Sequence, residues 1–287
     1  AYTPAANDSE IVAMFRRAAA KQASCHIHLG GRGKSNTSQQ FVIDTAQLAD
    51  ATGASLHFVH FQAGARETMG ELIHMVEALR DEGQDISIEC YPWTAGMTEI
   101  QSAIFAPGFQ QRLEVDYSDI QWGSTGERLD QLSFERYRKQ GGLVIVHNNT
   151  ETAVTLAVTH PLMMIASDGL VGHPRNAGTY ARVLGHYVRE QQELDLASAI
   201  RKMSLMPAER LQALVPLMAR KGRVQVGCDA DLTLFDPQTI GAQATYEHAF
   251  LPSQGIPWVL VAGTPVVRAG KLVEDAWPGQ AIRSDLK

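Results

Sequence analysis

From Ser9 to Trp93 the chain repeats one unit, an amphipathic helix followed by a short apolar strand. That alternation constrains the fold most. "SEIVAMFRRAAAKQ" carries Ile11, Met14, Phe15 and Ala18 on one helical face, with Ser9 as the expected N-cap. "SCHIHL" follows as a strand. "SQQFVIDTAQLADATG" reads as a helix closed at Gly53, and "ASLHFVHF" as the next strand. "ETMGELIHMVEALRDEG" gives a third helix ending at Gly83, and "QDISIECYPW" a third strand. Strands separated by helices pair in parallel, because the crossover returns each strand in the same direction. The expected class is therefore α/β.

Residues 97–141 interrupt the rhythm with polar, irregular sequence and read as an insertion. The pattern then resumes. "GLVIVH" is a candidate short strand, "TETAVTLAVTH" a helix and "LMMIAS" a strand. "TYARVLGHYVREQ" and "DLASAIRKMSLMPAERL" are two more helices, the second capped by Asp195. After about residue 215 the texture changes to short β runs and turns. "GRVQVGCDADLTLFDP" predicts two strands around Gly227. "WVLVAGTPVVRAGKLV" predicts strands joined at Ala262-Gly263 and Ala269-Gly270. The division expected is a unit over 1–215, with the 97–141 insertion, and a small β unit over 216–287.

Composition excludes some partners. The 287 residues carry a net charge of -6, and no block of Lys or Arg marks a nucleic-acid or membrane surface. No apolar run approaches the roughly 18 residues that span a bilayer. Three scattered cysteines, Cys25, Cys90 and Cys228, form neither a disulfide framework nor a CxxC metal knuckle. A reducing, cytoplasmic setting is the default, although the first residues "AYTPAANDSE" leave any removed targeting segment invisible. A small-molecule substrate is the expected partner, and homo-oligomerisation stays open.

In parallel α/β folds, chemistry gathers at the C-terminal ends of the strands. Those ends carry His26 and His28, then His57 and His60, then Glu89, Cys90 and Tyr91, then His147 and Asp168. Imidazoles with a carboxylate suit zinc, which turns water into a nucleophile near neutral pH. His26 and His28 share a strand face, whereas His57 and His60 are three apart. A regular strand would let only one of the latter point inward. A strand-end histidine can also simply bond a neighbouring loop. Asp168 can cap its turn or pair with Arg175, and Cys90 suits a small buried side chain. His74, His160, His186 and His248 read as structural.

The order "CHIH", "LHFVHF", "YPWTAG", "HPLMMIASDGLVGHPRNAGTYARVLGHYVRE", "AIRKMSLMPAERL" and "GRVQVGCDADLTLFDP" resembles the N-acyl-D-amino-acid deacylases (D-aminoacylases) of the amidohydrolase superfamily. The likeness extends over nearly the whole chain and is weakest at 97–141. It implies a (β/α)8 TIM-like barrel, with a β-sandwich, holding one or two Zn2+ ions. Carried over, His26 and His60 become zinc ligands on the fifth and sixth barrel strands. Asp168 becomes the eighth-strand carboxylate, a second-metal ligand or the proton carrier. Tyr91 and Arg175 become substrate-binding candidates. The resemblance implies zinc-dependent hydrolysis of the amide bond of an N-acyl (D-)amino acid.

Departures accompany the likeness. The family's Arg two residues after the fifth-strand histidine is His28 here. Its Lys after the sixth-strand histidine is Gln62, and its Ser after the YP tyrosine is Met97. These changes keep a cyclic-amide hydrolase of the dihydroorotase or hydantoinase kind as the alternative. The family's first-strand HxH and the cysteine after it have no counterpart, and "HIH" lies too close to Asp168 for eight strands to intervene. The expectation is a C-terminal portion of a longer chain, its N-terminal strands supplied by a missing segment. A catalytically incomplete, non-enzymatic fragment is the third reading.

Overall fold

The computed structural model describes residues 6–30 and 37–284. Helix α1 (Asp8–Ala19) starts at Asn7, not Ser9. The Asn7 side chain accepts from the Glu10 backbone, and Glu10 accepts in return from the Asn7 backbone, a reciprocal pair Ser9 cannot make. Next come β1 (Ser24–His28), α2 (Ser38–Asp50), β2 (Ser55–Val59), α3 (Met69–Asp81) and β3 (Ile86–Cys90). Gly53 and Gly83 take φ of 66° and 94° just past α2 and α3, as helix-terminating glycines do.

These strands and β7 (Met163–Ile165) form a parallel sheet in the order β1-β2-β3-β7. One face is apolar. Leu56, Phe58, Ile86, Ile88 and Met163 pack there against Val42 and Ala46 of α2, Leu72 and Val76 of α3, and Val154 and Val158 of α6 (Glu151–Thr159). Each such side chain, fully buried, contributes about 1.5–3 kcal/mol. The alternate residues, His26, His28, His57, Ser87 and Glu89, fall on the opposite face, so the polar groups lie together because the apolar ones must. β1 and β7 are the two sheet edges, and no pairing joins them among the described residues. The fold described is mixed α/β, with one parallel and two antiparallel sheets and no closed barrel.

The segment read as an irregular insertion is ordered. β4 (Ala95–Glu99), α4 (Phe109–Leu113), β5 (Ile120–Trp122), α5 (Gln131–Gln140) and β6 (Leu143–His147) build an antiparallel sheet, β4-β6-β5. Ile100, Phe105, Phe109, Trp122, Phe134, Val144 and Val146 give it a core of its own. β6 therefore belongs to this sheet and not to the parallel one. Its apolar run reads the same in either setting.

Further on, α7 (Arg175–Arg182) runs into a π-helical stretch over Val183–Glu190. α8 (Leu196–Met203) is capped by Asp195, which accepts from the Ser198 backbone at 2.9 Å, and α9 (Leu205–Leu211) follows. The last sheet has β8 (Leu232–Leu234), β9 (Trp258–Val261), β10 (Thr264–Arg268) and β11 (Lys271–Leu272) in antiparallel order. Around Gly227 only β8 forms of the two strands anticipated. Both later turns are as read: Ala262-Gly263 and Ala269-Gly270 all have positive φ, the type I′ geometry of a two-residue hairpin. No helix among the described residues is long and apolar enough to cross a membrane.

Candidate active site

All four strands of the first sheet run parallel, so their C-terminal ends share one rim. The polar face there carries two layers of imidazoles. β1 and β2 pair with His26 opposite His57 and His28 opposite Val59. In the lower layer the His26 and His57 ring centroids are 4.6 Å apart. His60, just beyond β2, adopts φ 31°. This left-handed residue breaks the strand's alternation and sets its ring 4.4 Å from that of His28. The strict alternation expected for His57 and His60 thus fails. Both rings sit beside β1 histidines that share a face.

The two layers differ in how their nitrogens are used. In the lower one, His57 is 2% exposed. Its Nδ1 is 2.7 Å from Ser87 Oγ, and its Nε2 donates to Glu89 Oε2 at 3.0 Å. His26 Nε2 is 2.8 Å from Ser24 Oγ. Burial, the largest single influence, pulls the Glu89 carboxyl upward, but the His57 hydrogen bond together with the charges of His57, His26 and His60 holds that group below its usual range. In the upper layer, His60 Nδ1 is buried without a hydrogen-bond partner. Burial lowers the His60 pKa, with the Asp168 carboxylate opposing that shift. Burial and the neighbouring His60 push His28 down to about 4. Both imidazoles are therefore neutral at pH 7, the form that offers a lone pair.

Asp168 follows β7 with φ 45°. Its Oδ2 lies 2.9 Å from Nη1 of Arg175, which is 3% exposed. The pairing with Arg175 read from the sequence is present. The guanidinium also lies over the Tyr91 ring, 4.7 Å from its centroid, and Arg175 Nε has no hydrogen-bond partner. Tyr91 is fully buried, which raises its phenol pKa. Gln62, equally buried, donates Nε2 to the Tyr91 carbonyl at 3.1 Å, leaving its Oε1 unpartnered. Met97 packs with Ala95, Ile145 and Leu170, against the loop that bears Asp168.

Sequence reading overlooked His173, which ties that loop down. Its Nδ1 accepts the Arg175 backbone N–H at 3.0 Å, and its Nε2 donates to Ala95 O at 3.0 Å. Burial, then Arg175, depress His173 to about 3, so the neutral ring can serve both partners. Its place in "HPR", two residues before the arginine, was the available signal.

Among the described residues no three His, Cys, Asp or Glu side chains gather as a complete metal-holding group. The buried, unpartnered His60 nitrogen beside a second imidazole is nonetheless the kind of donor set zinc takes.

No protein-family model matches the chain. A D-aminoacylase of Alcaligenes xylosoxydans xylosoxydans is 33% identical over 223 residues, covering 73% of this chain and 43% of that protein. The same organism's N-acyl-D-glutamate deacylase is 28% identical over 309 residues, covering 99% and 60%. This chain belongs to the D-aminoacylase family. The crystal structure of N-acyl-D-glutamate deacylase from Bordetella bronchiseptica, complexed with zinc and a phosphonate mimic of the tetrahedral intermediate, superposes with TM-score 0.82 at 26% identity. That match covers 97% of this chain and 60% of the crystal chain. This D-aminoacylase-family chain thus spans about half the length of the curated relatives it matches.

Proposed function

We propose that this chain carries the catalytic face of a zinc-dependent hydrolase that cleaves the amide bond of an N-acyl amino acid, the D-enantiomer preferred, by attack of water. The single observation that carries the reading is His60, whose buried Nδ1 has no hydrogen-bond partner beside a second imidazole at the strand rim. Zinc, when bound, polarises an amide carbonyl and acidifies water. His60, with an imidazole of β1, would hold it. Asp168 takes the proton from the attacking water and delivers it to the departing nitrogen, general acid–base work worth roughly 10²–10⁴ in rate. Arg175 keeps that carboxylate aimed through their 2.9 Å contact. Arg175 and Tyr91 then face the substrate carboxylate, with Gln62 and Met97 setting which substrates fit.

The architecture in this proposal is a closed (β/α)8 barrel to which β1, β2, β3 and β7 contribute. Residues 1–215 form the barrel part and 216–287 the sandwich part, in a cytoplasmic protein with reduced cysteines.

The test is chelation and reconstitution of the purified full chain, assayed on a panel of N-acyl-D- and N-acyl-L-amino acids. Hydrolysis that vanishes with chelator and returns with zinc supports the proposal. Turnover indifferent to chelation, or none with zinc loaded, overturns it.

A further inference from the structure

We infer that Tyr246 is a positioning residue for the proposed hydrolysis, acting on Arg175 and Asp168 through Ala95 and His173. The inference rests on the hydrolase reading above and adds to it a part played from outside the strand rim. Tyr246 lies in the stretch between β8 and β9, 151 positions beyond Ala95 in sequence.

The backbone of Ala95, the first residue of β4, is held from both sides. Its N–H donates to the Tyr246 hydroxyl at 3.0 Å, and its carbonyl accepts from His173 Nε2 at 3.0 Å. His173 Nδ1 in turn accepts the Arg175 backbone N–H at 3.0 Å, and Arg175 Nη1 meets Asp168 at 2.9 Å. A continuous line of contacts therefore runs from Tyr246 to the carboxylate. The Tyr246 ring supports the same line. It stands edge-on to His173, with centroids 5.3 Å apart and planes at 89°, and to Trp93 at 6.0 Å and 74°. Edge-to-face pairs of this kind are directional. The Tyr246 carbonyl also accepts from Gln121 Nε2 of β5 at 3.3 Å, which fastens the inserted sheet to it a second time.

The loop that bears Asp168 needs such a tie. It contains Gly169 and Gly172, the latter with φ 99°, and Val171 is 64% exposed. Glycine leaves a backbone its widest choice of conformations, so the aim of Asp168 and Arg175 depends on contacts made from elsewhere. Ala95 also closes the loop that carries Tyr91, whose ring lies under Arg175 at 4.7 Å. Filling space alone would not call for a phenol oxygen at this point. That oxygen bonds Ala95 and lies 3.3 Å from Thr94 Oγ1.

The experiment uses the full chain and its Tyr246→Ala and Tyr246→Phe variants, with folding checked by circular dichroism. Two readouts are taken: kcat and KM on the N-acyl amino acid the parent hydrolyses best, and amide hydrogen exchange over residues 168–176. Tyr246→Ala should lower kcat by roughly 100-fold, the cost of a misplacement of about 1 Å, and raise KM far less. Tyr246→Phe keeps the ring and should recover all but roughly 2- to 12-fold, the worth of one neutral hydrogen bond. Exchange over 168–176 should quicken in both variants, more in alanine, while peptides of β1 to β3 match the parent. Should the alanine variant fail to fold, the phenylalanine variant decides by the same two readouts. A folded variant with the parent's kcat, a loss confined to KM, or unchanged exchange over 168–176 overturns the inference and leaves the hydrolase reading standing. A parent that hydrolyses no N-acyl amino acid overturns that reading, and the positioning role with it.

Discussion

Arg175 Nη1 lies 2.9 Å from Asp168 Oδ2 while the same guanidinium covers the Tyr91 ring at 4.7 Å. One buried cation thus orients the proposed proton carrier and caps an aromatic wall. Asp168→Asn keeps an oxygen for Arg175 but removes the negative charge and the basic site. Turnover should fall by roughly 10²–10⁴, with about 1–3 kcal/mol lost from stability through the weakened charge-assisted bond. Steady-state kinetics and urea unfolding measure the two effects. A variant with most of its kcat would make Asp168 merely structural.

Gln62 is neutral where the family resemblance implies a lysine, and Met97 is apolar where it implies a serine. Hydrolysis of N-acetyl-D-amino acids should therefore be slow. Gln62→Lys should raise kcat/KM for carboxylate-bearing substrates by roughly 10- to 150-fold, the equivalent of 1.5–3 kcal/mol for a hydrogen bond to a charged group. A parent enzyme already efficient on N-acetyl-D-methionine contradicts this.

Acid should destabilise the fold before its carboxylates titrate. His173 is held down to about 3 by burial and Arg175, and His147 to about 4 by burial and Arg128, against 6.5 for a free imidazole. The unfolded chain binds more protons than the native one between those values, so stability is full above pH 6.5 and declines as pH falls toward 4. Each imidazole contributes at most about 1.4 kcal/mol per pH unit, and partly exposed His147 less. Urea midpoints at pH 7.5, 6 and 5 should fall steadily, with a shallower slope in His173→Gln. A midpoint constant from pH 7.5 to 5 would sink this account.

The inserted unit has a sharp steric test. Gly142 has φ 142°, and a Cβ there would sit 2.4 Å from the Trp122 ring, which is stacked on Tyr137 at 4.0 Å. Gly142→Ala should cost about 1–3 kcal/mol by overpacking, with backbone strain added. Unchanged unfolding on denaturant titration would show that the ring yields freely.

Much of this layout was legible in the sequence because it rests on short-range rules. Apolar runs place β1, β2, β3 and β7 within a residue or two. Gly53, Gly83 and the Ala-Gly pairs mark chain reversals because those positions need positive φ. What escaped depends on longer range. The alternation rule set His57 and His60 on opposite faces because it assumes an unbroken strand, and one left-handed residue cancels it. "GLVIVH" has the pattern of a buried strand in either sheet, and only its pairing with β4 and β5 decides. For the site, His60, Tyr91, Asp168 and Arg175 were visible as strand-end or motif residues. Which β1 imidazole stands beside His60 was not, since it turns on register.

The most direct measurement of the central claim is anomalous diffraction at the zinc edge from crystals of the full chain grown with zinc. The account predicts a peak within about 2.0–2.1 Å of one nitrogen each of His60 and an imidazole of β1, with Asp168 facing it. A peak remote from His60, or a site free of zinc in metal-loaded, folded protein, would contradict it.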